Sequence, residues 1–300
     1  MINTRCAVCG DSDNFSITYP ERTGAEKIGP DVFSARRNVS QKSHYRMVRC
    51  KQCGLLRSNP VFSESELAGL YRESKLTYER EIGNLNRTYG YYLRVLENLG
   101  VRKERLLEIG CGNGFFLEEA QAKGYKEVYG VEPSSDAVGK AKPAIRPFIR
   151  QEMFRDGVFP ENFFDVICLF QTLDHLFDPN AVIRAGWKML KPGGFFLVFN
   201  HNELAVSALI LKERSPIIDI EHIFLFNLKT VRALFEAEKF SVRKVGGARN
   251  YISLSYLTEL FPLSPAVKNR LIGFLKFIGM GNISLPLRIG NLYCIAQKPG

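Results

Sequence analysis

Short apolar runs alternate with amphipathic stretches along most of this 300-residue chain. Leu67, Leu70 and Tyr71 recur at helical spacing behind Ser63-Glu64-Ser65-Glu66, an N-cap followed by acidic residues, which predicts a helix. Ile82 through Leu99 repeats the period with Leu85, Tyr89, Tyr92, Leu93 and Leu96. The pattern then changes. Arg105 to Ile109 reads as a short buried strand, Gly110 to Gly114 as a glycine-rich turn, and Phe115 opens a helix. Val128 to Val131 is a second strand, a third falls near Pro147 to Arg150, and the apolar run from Phe163 to Phe170 is a fourth. The amphipathic helix Ala181 to Leu190 stops at the turn Lys191-Pro192-Gly193-Gly194, and Phe195 to Phe199 is a fifth strand. A further helix is predicted over Leu228 to Glu238. Strands alternating with helices predict an α/β fold built on a doubly wound sheet.

Composition narrows the class. With 45% hydrophobic and 24% charged residues, the chain can bury a real core, which excludes a disordered or collagen-like protein. No apolar stretch approaches the roughly 18 residues of a membrane-spanning helix. The start, Met1 to Cys6, has no basic segment ahead of an apolar one, so a cytoplasmic protein is expected. Lys plus Arg number 41 against 31 Asp plus Glu, a net +10 that favours anionic partners. That charge is uneven: no acidic residue follows Glu259, while Lys268, Arg270, Lys276, Arg288 and Lys298 do. Residues 265–280, apolar with three cations and no acid, suit a lid helix packed on the sheet, the favoured reading, or a helix lying on a membrane surface. The second would bring peripheral membrane contact and an amphipathic acceptor.

Seven cysteines are present, and Cys6-Ala7-Val8-Cys9-Gly10 is echoed by Cys50-Lys51-Gln52-Cys53-Gly54. Two residues between cysteines bring both sulfurs to one side of a metal, and the next glycine lets backbone N–H groups point at the thiolates. Cys6, Cys9, Cys50 and Cys53 thus offer four thiolates with no open position, the donor set of a structural zinc ion (Zn2+). Redox pairs or disulfides are the alternative, disfavoured in a reducing cytosol. His44 is a substitute ligand, and the polar stretch from Glu21 to Ser43 is expected to loop out. The expected domains are a zinc ribbon over 1–60, a helical linker or lid over 61–98, and the main α/β domain over 99–300.

Gly110, Gly112 and Gly114 let the turn adopt positive φ and admit a ligand against the main chain. About twenty residues later the second strand ends in Glu132, a carboxylate that a doubly wound sheet brings beside the loop, where it can accept both hydroxyl hydrogens of a ribose. The glycines run G-x-G-x-G with Glu108 two residues ahead, unlike the G-x-G-x-x-G of dinucleotide enzymes. These residues resemble the class I S-adenosylmethionine-dependent methyltransferases, whose first motif is an acidic residue followed by G-x-G-x-G. The resemblance implies that Gly110, Cys111, Gly112 and Gly114 wrap the methionine part of S-adenosylmethionine, with Glu108 near its amino group and Glu132 on the ribose. It also implies contacts from Gln151, after the third strand, and Gln171, after the fourth. Phe164-Asp165-Val166-Ile167 and Leu190-Lys191-Pro192-Gly193-Gly194 fit the same family, as do strands near Ser241 to Val245 and Asn291 to Gln297, giving a Rossmann-like seven-stranded sheet.

Methyl transfer needs alignment and a nucleophile relieved of its proton. His175, His201 and His222 fall past strand ends, and an imidazole suits that proton near neutral pH. Glu221-His222-Ile223-Phe224-Leu225-Phe226-Asn227 resembles the Glu-His-x-x-x-Phe-Ser segment of zinc-containing sugar methyltransferases, with Asn227 for the serine and Asp219 where a tyrosine often stands. The resemblance implies His222 as the base, with His175 the second candidate; structural hydrogen bonding is the alternative for each. A 300-residue chain leaves no room for the carboxyl-terminal domain of the sugar C-methyltransferases. O- or N-methylation of a small, sugar-containing or lipid-linked glycan acceptor in polysaccharide biosynthesis is therefore expected. The alternatives are RNA methylation and a non-catalytic S-adenosylmethionine-binding adaptor. A nucleic-acid partner is disfavoured, since the linker lacks aromatic-basic interleaving.

Overall fold

The computed structural model describes residues 1–22, 29, 43–261 and 263–300, so the expected outward loop between Glu21 and Ser43 lies largely outside the described residues. In chain order the strands are β1 (Phe15–Tyr19), β2 (Met47–Cys50), β3 (Leu56–Ser58), β4 (Arg105–Ile109), β5 (Glu127–Val131), β6 (Ile149–Arg150), β7 (Phe164–Phe170), β8 (Leu190–His201), β9 (Phe224–Leu225), β10 (Ser241–Ser253) and β11 (Ser284–Gln297). The helices are α1 (Glu64–Glu73), α2 (Ile82–Glu97), α3 (Phe115–Ala122), α4 (Ser135–Gly139), α5 (Pro179–Met189), α6 (Val206–Leu211), α7 (Leu228–Ala237), α8 (Leu254–Leu260) and α9 (Pro265–Phe277). None of them is long and apolar enough to cross a membrane.

Seven strands form the main sheet in the order β10-β11-β8-β7-β4-β5-β6. Strands β4 to β8 run parallel, while β11 lies antiparallel between β8 and β10. This is the α/β, Rossmann-like doubly wound sheet that the alternating pattern predicts. Every residue of β7 is buried, as expected of a central parallel strand covered on both faces. Strand order reverses about β4, whose neighbours β5 and β7 lead in opposite directions, so a crevice opens beyond the carboxyl ends of β4 and β7.

One local feature departs from expectation. Lys191 to Gly194 do not form a turn ahead of the fifth strand, because β8 already begins at Leu190. Leu190 pairs with Phe164 and Phe195 with Val166, and the residues between are absorbed as a bulge that Gly193, at φ 79°, accommodates.

The segment before the main sheet belongs to its core. The α1 helix starts with a capping box: Ser63 accepts from the Glu66 N–H, and the Glu66 carboxylate accepts from the Ser63 N–H. The α2 helix packs on α3 and β10, and Tyr89 stacks on Phe170 of β7 with ring centroids 4.1 Å apart. A second sheet, β1-β2-β3-β9, is antiparallel throughout and takes its last strand from residues 224–225, far along the chain. Cys6, Tyr45, Cys50 and Leu55 share one continuous apolar cluster with Leu107 and Phe196, so the two sheets are packed as one body.

Candidate functional site

The crevice holds a cavity of about 740 Å3 lined by Glu108, Gly110, Cys111, Gly112, Glu132 and Gln171, among others. Glu132 leaves the end of β5 and reaches back to the loop after β4: its Oε2 accepts from the Gly112 N–H at 2.8 Å and its Oε1 from the Ser134 N–H at 2.9 Å. At Gly112, φ is 55° and an added Cβ would come 2.0 Å from the Tyr78 hydroxyl, so a larger residue would be strained and would have to displace that ring.

Glu108 is 2% exposed, and its Oε2 has no hydrogen-bond partner among the described residues. Burial, and then the neighbouring Glu132, push its pKa well above the usual carboxylate range. A buried carboxyl of this kind lining a cavity fits a cationic ligand with N–H donors. Gln171 has φ 54°, and its Oε1 is likewise buried without a partner among the described residues. These orphaned, buried oxygens, on side chains lining the cavity, fit the amino-acid end of S-adenosylmethionine.

Two residues expected at this ligand lie outside the cavity lining. Gly114 does not line the cavity; it starts α3 at φ 73°, and a Cβ there would come 2.5 Å from Ile145, so its small size serves helix packing. Gln151 is exposed and outside the cavity lining, where Met153 and Phe154 stand instead. The reason is that β6 ends at Arg150 after two residues, and the chain has already turned away.

Across the cavity, three histidines gather around one carboxylate. Asp174 is 1% exposed, and its Oδ2 accepts from His201 Nδ1 at 2.6 Å. His222 Nε2 lies 3.7 Å from the same oxygen, and His175 Nε2 lies 3.5 Å from Oδ1. Burial opposes ionisation of Asp174, but His175, His201 and His222 together hold its carboxyl far below the usual range. The other nitrogen of His222, Nδ1, is 2.7 Å from Asp219 Oδ1. Burial opposes the charge on His222, yet Asp219 and then Asp174 push its pKa up to about 9. His222 is thus a buried imidazolium with a carboxylate at each ring nitrogen. His201 is more open to the cavity, its side chain 23% exposed. The Tyr71 hydroxyl hydrogen-bonds His175 Nδ1 at 3.1 Å. The sequence pairs Asp174 with His175 but gives no hint of Asp174 as the common partner of all three rings, nor of Tyr71. The Asp219-x-x-His222 spacing could have flagged the Asp219 contact.

The four cysteines of the two knuckles come together as expected. Cys6 and Cys53 sulfurs are 3.3 Å apart and those of Cys9 and Cys50 3.5 Å, all as free thiols. A tetrahedral zinc with Zn–S bonds near 2.3 Å separates its sulfurs by about 3.8 Å, close to this arrangement. The glycine after each pair closes the knuckle: Gly10 donates its N–H to the Cys6 carbonyl at 2.8 Å and Gly54 to the Cys50 carbonyl at 2.9 Å. The donor set is compatible with one structural zinc ion. His44 stands elsewhere, facing Glu213 at 3.2 Å.

A family model described as a methyltransferase domain matches residues 84–245, starting inside α2. Among curated relatives, the ubiquinone biosynthesis O-methyltransferase of Pseudomonas fluorescens Pf-5 is 33% identical over 126 residues, covering 36% of this chain and 50% of that protein. The Proteus mirabilis enzyme of the same name is 29% identical over 121 residues, covering 37% and 49%. The chain spans about half the length of the curated relatives it matches. Among solved structures, a chain from the complex of the Haloferax volcanii Trm112 methyltransferase activator with a methyltransferase superposes with a TM-score of 0.51. It is 16% identical, and the match covers 74% of this chain and 94% of that one, a likeness of fold.

Proposed function

Because the chain belongs to the methyltransferase-domain family, we propose that it moves a methyl group from S-adenosylmethionine to an oxygen of a small acceptor, with His201 taking the acceptor's proton. The single observation that carries this is that the buried Glu108 carboxyl, whose Oε2 has no partner among the described residues, lines the same cavity as His201, the ring that Asp174 holds. The name of the relatives, O-methyltransferases, supports oxygen as the acceptor atom.

Glu108 would hold the amino group of the donor, Glu132 its ribose, and the backbone at Gly110 and Gly112 its methionine chain. Bound there, S-adenosylmethionine supplies a methyl carbon on a positively charged sulfur. The chain's own task is alignment and proton removal. Asp174 accepts from His201 Nδ1 and so fixes the ring, and Nε2 is the nitrogen that would take the acceptor's proton. His222, put forward by its sequence context as the base, suits a different part: with its pKa pushed up to about 9, it would place one positive charge between Asp174 and Asp219. His175, tied to Tyr71 and Asp174, would order the wall between donor and acceptor. Cys6, Cys9, Cys50 and Cys53 would hold a zinc ion that shapes the second sheet and leaves no position open for substrate. The sugar-containing acceptor implied by the resemblance is one class within this reading, and small phenols are another.

Calorimetry with S-adenosylmethionine, followed by a screen with labelled donor across phenols, nucleotide sugars and lipid-linked glycans, tests it. Wild type should bind the donor, and His201→Ala should cut turnover about a hundredfold or more at unchanged donor affinity. Absence of donor binding would overturn the assignment. Salt-dependent RNA affinity with methylated RNA as product would move the activity to nucleic acid.

A further inference from the structure

The acceptor end of the cavity opens through an apolar rim. Val206 and Ile210 of α6 and Phe261 after α8 all line the cavity, yet they are 61%, 73% and 51% exposed. The neighbouring α9 helix presents its apolar side outward. Val267, Leu271 and Phe274 follow each other at i, i+4 and i+7, on one face of the helix, and all are exposed, with Phe277 beside them 88% exposed. The usual arrangement is reversed at Lys268, which is buried and donates from Nζ to the Glu259 carbonyl at 2.7 Å. Single exposed apolar residues need no explanation, but a row this long, on a helix packed against α8, whose Tyr256, Leu257 and Leu260 line the cavity, marks a contact surface.

Charge selects the partner. Arg270 and Lys276 on α9 itself are exposed, as is Arg288 on β11, and no carboxylate side chain follows Glu259 in sequence. Aromatic and aliphatic side chains on a helix whose charged residues, Lys268, Arg270 and Lys276, are all cations suit the headgroup boundary of an anionic bilayer, where rings enter the acyl region and cations meet phosphates. A protein partner would have to supply an acidic ring around an apolar centre; a membrane supplies both layers along any direction.

We propose that the face formed by α9 and the apolar rim docks on an anionic lipid bilayer, with the cavity mouth turned toward the lipid. An acceptor carrying an apolar chain then enters from the bilayer and never crosses bulk water. That last step rests on the methyl-transfer reading; the docking does not.

The test uses the full chain and vesicles of phosphatidylglycerol mixed with phosphatidylcholine, against phosphatidylcholine alone. Wild type should sediment with the anionic vesicles at low salt and lose about tenfold in affinity when phosphatidylglycerol is omitted or salt is raised. A Phe274→Glu, Phe277→Glu variant, both changes at exposed positions, should lose vesicle binding by about tenfold or more while its donor affinity by calorimetry stays put. Introduced tryptophan at Ile210→Trp should be quenched by brominated lipid beyond any quenching of the native Trp187. Wild type that stays in the supernatant overturns the proposal, as does undiminished binding by the double variant. A dimer that the same double substitution dissociates, with no vesicle binding, would assign the face to a second copy. Vesicle binding without donor affinity would keep the docking and remove the methyl-transfer reading.

Discussion

The Ser58 hydroxyl donates to the His222 carbonyl oxygen at 2.8 Å, so the third strand of the cysteine-rich sheet holds the backbone of the histidine cluster. The Ser58 N–H reinforces the tie by donating to the Ile223 carbonyl, also at 2.8 Å. Both partners are buried, so the loop carrying His222 is located by the knuckle region as much as by its own domain. Ser58→Ala leaves the His222 carbonyl short of a donor and should cost about 1 to 3 kcal/mol of stability. Denaturant titration reads that loss. Turnover should fall with it while donor affinity is kept, because Glu108 and Gly112 are held by β4 and the loop after it rather than by Ser58; equal losses in both would point to general unfolding.

Stability should decline in alkali. The His222 pKa rises from 6.5 to about 9 on folding, because Asp219 and Asp174 outweigh its burial. A raised pKa contributes stability that is complete below the unfolded value and disappears as pH climbs through the folded one. The window is therefore roughly pH 6.5 to 9, with a loss on the order of 3 kcal/mol. Urea midpoints across that range should drift downward in wild type and flatten in His222→Gln. The same titration separates the candidate bases: a rise of kcat/KM centred near pH 9 that vanishes in His222→Gln would transfer the proton-taking role from His201 to His222.

Donor binding should expel a proton. Burial and Glu132 keep the Glu108 carboxyl protonated well beyond the usual range, and an arriving ammonium group favours its ionised form. Calorimetric enthalpies of donor binding should thus vary with the ionisation heat of the buffer, and affinity should improve as pH rises through the Glu108 titration. Glu108→Gln should abolish the buffer dependence.

Asp174→Asn should be among the most damaging single changes. It strips the shared counter-charge from a buried imidazolium, at a cost of about 3 to 5 kcal/mol. Replacing His222 as well, in a double Asp174→Asn, His222→Gln variant, should recover part of the loss. Additive losses would contradict the electrostatic pairing.

Chelation provides a separate check on the knuckles. Metal analysis should give one zinc per chain in wild type and little in Cys50→Ser. Removal should lower the melting temperature of the whole chain in a single transition, because Cys6 and Cys50 belong to the same apolar cluster as Leu107.

What could be read from the sequence follows the range of the interactions involved. Glu108, the glycines and Glu132 sit within twenty-five residues, and a strand-turn-helix rule is enough to bring them together. The helix starts at Ser63 and Asn227 were equally local, each a side chain closing on its own first turn. The two-residue strand β9, the Tyr71–His175 contact and the role of Asp174 depend on residues far apart in the chain, which periodicity does not record. The choice between His222 and His201 shows the difference most clearly. Motif context puts forward the first, whereas the proposal for the second rests on Asp174, which lies 27 residues earlier and meets it only through the strand order.

The borrowed strand at residues 224–225 has a bearing on any attempt to take the protein apart. A fragment ending at residue 60 would carry both cysteine knuckles, yet it would expose the raw margin of β3, including the buried Arg57 and Ser58, as a surface ready to stick to any extended peptide. During synthesis that margin emerges first and must wait for more than 160 further residues before its mate arrives. The amino-terminal region is better regarded as a keystone set last than as a detachable ornament.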